Sequence, residues 1–190
     1  EKHITKSWTG STALVSVICT TYNHAAYVED ALRGFLTQQT TFPFEIIVHD
    51  DASTDDTQSI VRAYALAYPN IIKTIFQHQN QHSQGVKIIM SAAKYAVGDF
   101  IALCEGDDYW IDNEKLQTQV DALLMLPKCE MCFHSAVVTK KEVIQDALFC
   151  RRSRGNHHFI VGPIIRGGGS FMPTASMMIR KSFFDRAFAD

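Results

Sequence analysis

Apolar residues run almost unbroken through LVSVICT at 14–20, interrupted only by Ser16. A β-branched run of that length predicts a strand buried on both faces. The period then changes: Val28, Ala31, Leu32, Phe35 and Leu36 recur at three- and four-residue spacings, which predicts a helix with one apolar face. EIIVHDD at 45–51 is a second strand, and Ser53-Thr54-Asp55-Asp56 offers a helix N-cap with an acid three positions on. Ile60, Val61, Tyr64 and Tyr68 mark that helix, and Pro69-Asn70 closes it. IIKTIFQ (71–77) predicts a third strand, and Val86, Ile89, Met90 and Ala93 a third helix face. Gly98-Asp99 turns the chain into a fourth strand, FIALC (100–104). Asp112 can cap a last helix that carries Leu116, Val120, Leu123 and Leu124 and stops at Pro127.

Strands and helices in alternation, with strands this apolar, imply an α/β fold: a Rossmann-like, mostly parallel sheet with helices on both faces. Ligands of such sheets bind beyond the carboxyl ends of the strands. Three polar clusters fall there: Thr20-Thr21-Tyr22-Asn23, His49-Asp50-Asp51 and Glu105-Gly106-Asp107-Asp108. Far apart in sequence, they are expected at one edge of the sheet as a single acidic site.

After Pro127 the pattern loosens. CFHSAVVT (132–139) suits a strand, residues 155–174 are loop-rich, and ASMMIRK (175–181) suits a strand at the far side. Gly167-Gly168-Gly169 lacks the preceding strand and following Lys-Ser/Thr of a phosphate loop, and reads as a hinge or substrate-side loop. The chain divides into an extension (1–13), an α/β half (14–126) and a second half (127–190).

Length and charge narrow the function. One domain of 190 residues with 46% apolar positions supports a full core. A net charge of -2, with basic residues scattered apart from RRSR at 151–154, gives no reason to expect nucleic acid or an anionic membrane as partner. No apolar run approaches the ~20 residues that cross a bilayer. The opening EKHITKSW is neither an initiator Met nor a signal peptide, and reads as a trimmed start. Five cysteines, an odd and widely spaced set, suit reduced thiols in a cytoplasmic setting. Cys129 and Cys132 form a CxxC, but a single CxxC is half a zinc signature, and buried free thiols are the expectation.

The chemistry concentrates in CEGDDYW (104–110), where three carboxylates follow an apolar strand. Buried without compensation, each would cost several kcal/mol, so they must be solvated, paired or holding a cation. No GxGxxG follows the first strand and no Walker loop occurs anywhere, which argues against a dinucleotide enzyme and a P-loop NTPase. Carboxylates beside a phosphate-bearing ligand need a divalent cation between them, and Mg²⁺ or Mn²⁺ bound by one or two carboxylates plus phosphates is a common solution. Asp107 and Asp108 supply such hard oxygens.

VSVICTTYNH, EIIVHDDASTDDT and GDFIALCEGDDYW, in that order and spacing, resemble the family 2 glycosyltransferases, inverting enzymes of the GT-A fold that use nucleotide-diphosphate sugars. The likeness spans residues 14–126, which would then be the donor-binding half, with 127–190 on the acceptor side. It implies that Thr20 and Tyr22 line the base pocket and that Asp51 hydrogen-bonds the base or ribose. Glu105 and Asp107 would bind the nucleotide sugar, with Asp107, and Asp108 beside it, as ligands of Mn²⁺ or Mg²⁺. Glu105 departs from the more usual first Asp, but a longer carboxylate still reaches the ribose or a metal-bound water. The family's general base lies downstream of the segment that PTASMMIRKSFF (173–184) resembles. Asp185 and Asp190 fall in a terminal helix or fray, so the chain is expected to end before its base and the catalytic residue is left unassigned. The implied partners are a UDP- or GDP-sugar donor and a saccharide or lipid-linked acceptor, in surface polysaccharide synthesis at a cytoplasmic, membrane-facing site. Any peripheral membrane association would run through segments outside this sequence. The alternatives are a non-catalytic nucleotide-sugar or glycan-binding module of the same fold, or a sugar nucleotidyltransferase, whose Gly-rich basic loop TTYNHAAY lacks.

Plainer roles compete at several positions. Asp50 is as well suited to capping the helix near Ser53 as to binding a ligand, since acids favour helix N-termini. Asp55 and Asp56 read as helix-start residues. Thr20 could simply satisfy backbone at the strand end. Tyr109 and Trp110 suit core and rim packing better than a sugar platform. Hydrogen-bonded structural roles are expected for His49 and His134, both in strand patterns. Arg151, Arg152 and Arg154 suit a solvated loop better than a diphosphate clamp.

Overall fold

In the computed structural model, which describes residues 1–140, 143–152, 154–159 and 171–188, the apolar runs become the middle of a mixed sheet. Strand β1 (Val15–Thr21) lies between β2 (Phe44–Asp50) and β4 (Phe100–Glu105), and β3 (Ile72–Phe76) lies outside β2. These four are parallel neighbours. Beyond β4, the short β8 (Met178–Arg180) enters antiparallel, and β5 (Met131–Cys132) closes the order β3-β2-β1-β4-β8-β5 among the described residues.

The two-residue period of a strand sorts the core into two layers. Val15, Val17 and Cys19 of β1, Phe44, Ile46 and Val48 of β2, and Phe100, Ala102 and Cys104 of β4 pack with α1 (Val28–Leu36), α2 (Thr57–Ala67) and α4 (Lys115–Met125). Helix α1 contributes Val28, Ala31, Leu32, Phe35 and Leu36, the face its spacing predicts. The intervening Ile18, Ile47, Ile101 and Leu103 pack on the other side with Ala92 and Ala93 of α3 (Ile88–Ala93) and Phe184 of α5 (Lys181–Ala187). Covering both faces is what requires the strands to be apolar throughout. Each fully buried Ile or Phe contributes roughly 1.5–3 kcal/mol. Gly34 lets α1 lie on the backbone of Trp110: a Cβ there would stand 2.8 Å from the Trp110 carbonyl oxygen. The N-terminal segment is seated on the sheet, with Trp8 edge-on to Phe44 at 5.3 Å and its Nε1–H donating to Thr40 Oγ1 at 3.0 Å.

Several elements depart from the sequence expectation for local reasons. Helix α2 starts at Thr57, not near Ser53, because the Ser53 amide and hydroxyl turn back to donate to Asp50. Asp55 then accepts from the amide and hydroxyl of Thr57, so it is the helix-start acid. In α3 the buried face is Ile88, Ala92 and Ala93, while Val86 is exposed ahead of the helix. Leu124 also faces solvent, since the buried stripe of α4 is Lys115, Leu116, Gln119, Val120 and Leu123. The α4 start is capped from outside: the Leu116 amide donates to Gln38 Oε1 at 3.0 Å and Gln38 Nε2 donates to the Asp112 carbonyl at 2.7 Å, while the Asp112 carboxylate accepts from the Glu114 amide.

The run at 132–139 splits. Its first residue ends β5, and Ala136–Lys140 forms β6, paired antiparallel with β7 (Val143–Phe149) in a separate ribbon. His134 therefore lies in the break and is exposed, its Nδ1–H donating to the neighbouring Ser135 carbonyl. The 175–181 strand is shorter than expected and sits inside the main sheet against β4, after a 3-10 turn at Thr174–Ser176. Gly167-Gly168-Gly169 and Asp190 lie outside the described residues. Among those residues no helix is long and apolar enough to cross a membrane.

Candidate functional site

Strand register assembles the site. Thr20 on β1 is opposite His49 on β2 and opposite Glu105 on β4, and Thr21 is opposite Asp50. Past the last pairs the ladder continues, with the Asp51 amide donating to the Thr21 carbonyl and the Gly106 amide to the Thr20 carbonyl, each at 2.9 Å. The chain leaves β1 for β2 on one side and later enters β4 on the other. The switch point of the sheet thus lies between β1 and β4, and sheets of this kind hold their ligands in a crevice beyond the strand ends at that point. All three polar clusters meet there.

The acids after β2 shape that crevice. Asp50 is fully buried; its Oδ1 accepts from the Ser53 amide at 2.9 Å and from Gln58 Nε2 at 2.7 Å, and its Oδ2 accepts from the Thr21 and Ser53 hydroxyls. It organises the turn and does not cap α2. Asp51 is 3% exposed and accepts from two backbone amides, Gln81 at 2.8 Å and His82 at 3.0 Å, which fixes the polar loop after β3. The turn after β1 is strapped to the turn after β2: the Asn23 amide donates to Ser53 Oγ, Asn23 Oδ1 accepts from the Thr54 amide, and Asp55 accepts from the Ala25 amide. Tyr22 stands exposed at this rim, and Thr20 is half-buried beneath it. His49 is buried behind the crevice and takes a hydrogen bond on Nε2 from Gln77 Nε2 at 3.1 Å. Burial lowers its pKa and keeps it neutral.

Gly106 brings the third cluster close. A Cβ at this position would stand 2.5 Å from Thr21 Cγ2 and 3.0 Å from His24 Nδ1, so only glycine lets the turn lie against β1. Glu105 is partly buried, and that burial, with the charges of Asp108 and Asp107, raises its pKa against the hydrogen bonds from its own backbone and from Thr174, which lower it. Asp108 is exposed overall; partial enclosure, then the charge of Asp107, raise its pKa against the influence of His24. Asp107 is exposed, with its Oδ1 3.9 Å from His24 Nδ1. Two carboxylates with raised pKa values beside a third acid form a site short of positive charge. Among the described residues, no three His, Cys, Asp or Glu side chains are gathered into a ready metal site. A cation here would take its remaining ligands from a phosphate-bearing molecule and water, which is how Mg²⁺ and Mn²⁺ are commonly held. The exposed hard oxygens of Asp107 and Asp108 fit that donor set.

Beyond Asp107 and Asp108 a cavity of about 1680 Å³ opens between α4, the β6–β7 ribbon and residues 172–176. Trp110 is buried in its wall, edge-on to Phe35 at 4.7 Å, with Nε1–H donating to the Ala175 carbonyl at 2.8 Å; Tyr109 sits at the rim. Lys115 is buried, its Nζ 4.0 Å from the Trp110 ring centroid and donating to Gln119 Oε1 at 2.7 Å. Burial pulls its pKa down to about 8. Arg152 donates to the Phe171 carbonyl and stacks over its ring, while Arg151 and Arg154 are exposed. Among the described residues no cysteine is in a disulfide: Cys19 and Cys104 are buried and the other three partly so. Cys132 lies beside Gln119, and Cys129 Sγ is 3.6 Å from His158 Nδ1. Asp185 is paired with Lys181 on α5.

Sequence reasoning singled out Asp107 and Asp108 but gave no role to Asn23, His24 or Lys115. For Asn23 and His24 the signal was available, since both continue the polar cluster after β1. Lys115 gave none, because a lysine at a helix start reads as solvated.

Comparison with known proteins follows this geometry. The sequence profile of Glycosyl transferase family 2 matches residues 16–187. An uncharacterised protein of Mycobacterium tuberculosis is 41% identical over 137 residues, 71% of this chain and 38% of its own length. A UDP-Glc:α-D-GlcNAc-diphosphoundecaprenol β-1,3-glucosyltransferase of Escherichia coli is 33% identical over 111 residues, 58% of this chain and 41% of its own length. Among solved structures, S. aureus TarS 1–349 in complex with UDP-GlcNAc superposes with a TM-score of 0.66 at 25% identity, covering 91% of this chain and 47% of that one. The mannosyltransferase PcManGT of Pyrobaculum calidifontis, in complex with GDP-Man and Mn²⁺, does so with a TM-score of 0.56 at 25% identity, covering 67% and 38%. The chain thus spans about two fifths of the length of these two sequence relatives.

Proposed function

Because this chain belongs to Glycosyl transferase family 2, we propose that it binds a nucleotide-diphosphate sugar and serves transfer of that sugar, with inversion, to an acceptor hydroxyl. The observation that carries this reading is the register that sets Thr20 between His49 and Glu105, which gathers three polar strand ends at the switch point of the sheet. The nucleotide complexes of the structural neighbours support it.

Thr20 and Tyr22 line the base pocket. Asp51, already engaged by two amides, keeps lone pairs for one donor from the base or ribose, and it holds the loop that walls the pocket. Glu105 faces the ribose, while Asp107 and Asp108 hold a divalent cation. When bound, Mn²⁺ or Mg²⁺ neutralises the diphosphate and stabilises it as a leaving group. Tyr109 and the large cavity beyond it receive the acceptor, a saccharide or a lipid-linked saccharide. The name of the E. coli relative, a glucosyltransferase acting on a diphosphoundecaprenol-linked GlcNAc, supports a lipid-linked saccharide as acceptor, and with it a role in polysaccharide assembly.

Calorimetry with UDP and GDP, with and without Mn²⁺, on this chain and on Asp107→Asn tests the reading. Metal-dependent binding that the substitution weakens at least tenfold, ~1.4 kcal/mol, is expected. Absence of metal-dependent binding to either nucleotide would overturn it.

A further inference from the structure

His134 stands at the same edge of the sheet as the acidic turn, and strand register puts it there. Ala102 of β4 and Cys132 of β5 both pair with Met178 of β8, and both strands run antiparallel to β8. Strand β5 is therefore parallel to β4 and level with it. His134, two residues past Cys132, leaves at the strand-end edge where Glu105 leads into the acids. With one strand between them, the two ends are about 10 Å apart, two strand spacings.

The imidazole is fixed and offers an acceptor. Phe133 packs against Phe159 at 5.8 Å and Phe171 at 5.7 Å, and those two rings meet edge-on at 5.3 Å, which anchors the chain just before His134. A carbonyl oxygen only accepts, so the 2.8 Å contact of His134 Nδ1 with the Ser135 carbonyl places the ring proton on Nδ1. In the neutral ring Nε2 then carries the lone pair, and it has no hydrogen-bond partner among the described residues. Burial against the surrounding walls, joined by the charge of Lys115, lowers its pKa over the opposing backbone contact at Ser135 and the charge of Asp112. The neutral form therefore prevails at pH 7. His49 differs, since its ring is fully buried and bonded to Gln77. His134 is exposed and lines the large cavity together with Asp107, Asp108 and Trp110.

We propose that His134 is a sugar contact: its Nε2 accepts a hydrogen bond from a hydroxyl of the sugar held between the acidic turn and the end of β5. The inference rests on the donor-binding reading above. A diphosphate on Asp107 and Asp108 and an imidazole about 10 Å away bracket the space of one sugar. Few, well-placed polar groups in a largely apolar cavity are what orient such a ligand. The hydroxyl belongs to the donor's sugar or to the acceptor's, and the two are separable by experiment.

The test combines calorimetry with ¹⁵N NMR of the histidine-labelled chain, on the wild type, His134→Phe and His134→Gln, all with Mn²⁺ present. The probes are UDP and GDP, then UDP-glucose, UDP-N-acetylglucosamine and GDP-mannose, then methyl glycosides of the same sugars added to the nucleotide-bound chain. The His134 signals, identified by their loss in both variants, should show the Nδ1–H tautomer. They should move when a sugar is present but not with UDP or GDP alone. A response to a nucleotide sugar assigns the contact to the donor's sugar, and a response to a methyl glycoside alone assigns it to the acceptor's. His134→Phe should lose roughly threefold to tenfold of the affinity that the sugar adds, the share of one hydrogen bond, with UDP and GDP binding unchanged. His134→Gln, which sets an amide oxygen near the Nε2 position, should recover most of it. Sugar binding that leaves the His134 signals and the His134→Phe affinity unchanged overturns the proposal. So does the absence of any sugar response while UDP or GDP binds. Failure of both nucleotides to bind overturns the donor reading; a glycoside response at His134 then upholds the sugar contact, and its absence overturns that as well.

Discussion

Asn23 and Thr54 lie 31 positions apart and are joined directly: Asn23 Oδ1 accepts from the Thr54 amide at 2.8 Å. Asn23 has a left-handed backbone, φ 55°, which Asn tolerates better than most residues. One side chain thus sets both the turn after β1 and the turn after β2. Asn23→Ala should lose about 1–2 kcal/mol in urea unfolding and weaken nucleotide binding. Asn23→Asp, which keeps the acceptor, should stay close to the wild type in both.

Gly106→Ala should force Thr21 and the acidic turn apart, since the new Cβ meets Thr21 Cγ2 at 2.5 Å. Overpacking of this kind costs about 1–3 kcal/mol. Thr21→Ser removes that methyl and keeps the hydroxyl that donates to Asp50. A double-mutant cycle by denaturant unfolding should therefore show part of the loss recovered.

Asp51→Asn replaces an oxygen that accepts from a backbone amide with an amino group that cannot accept. The amides of Gln81 and His82 should exchange with solvent faster, by about 1–3 kcal/mol of local protection. Hydrogen exchange resolved by residue gives the answer, and protection along β1 should be unaffected.

Lys115 carries the pH prediction. Burial lowers its folded pKa to about 8 from an ordinary 10.5. Between these values the unfolded chain holds a proton that the folded chain has released, so stability should rise with pH across this window. The full rise is on the order of 3 kcal/mol. Lys115→Met should flatten the rise when unfolding free energies are compared from pH 7.5 to 10.5. An identical slope in the variant would show that the amine stays charged in the fold across the whole of that window.

Local pattern carried the centre of the fold because β1, β2 and β4 are buried on both faces and their polar ends follow at once. That is why Thr20, Glu105 and Asp107 could be assigned to one edge before any coordinates. The second half was harder to read for equally local reasons. Val143–Phe149 has no continuous apolar run, since among the described residues it pairs with β6 alone in a two-stranded ribbon, and β8 is three residues long and is held between β4 and β5. The start of α2 was misread because Ser53 has a stronger acceptor in Asp50 than in a helix amide. Nothing in the sequence shows that Asp51 is tied to a loop 30 residues away.

Trp110 has one further consequence. The chain contains two indoles, Trp8 at the sheet edge and Trp110 directly after the acidic turn. The second is held by Phe35, Lys115 and the Ala175 carbonyl, in the wall shared by the acidic turn and the large cavity. With Trp8 replaced by Phe, the remaining emission comes from one rigid chromophore, so the protein carries its own optical gauge of what enters on either side of that wall.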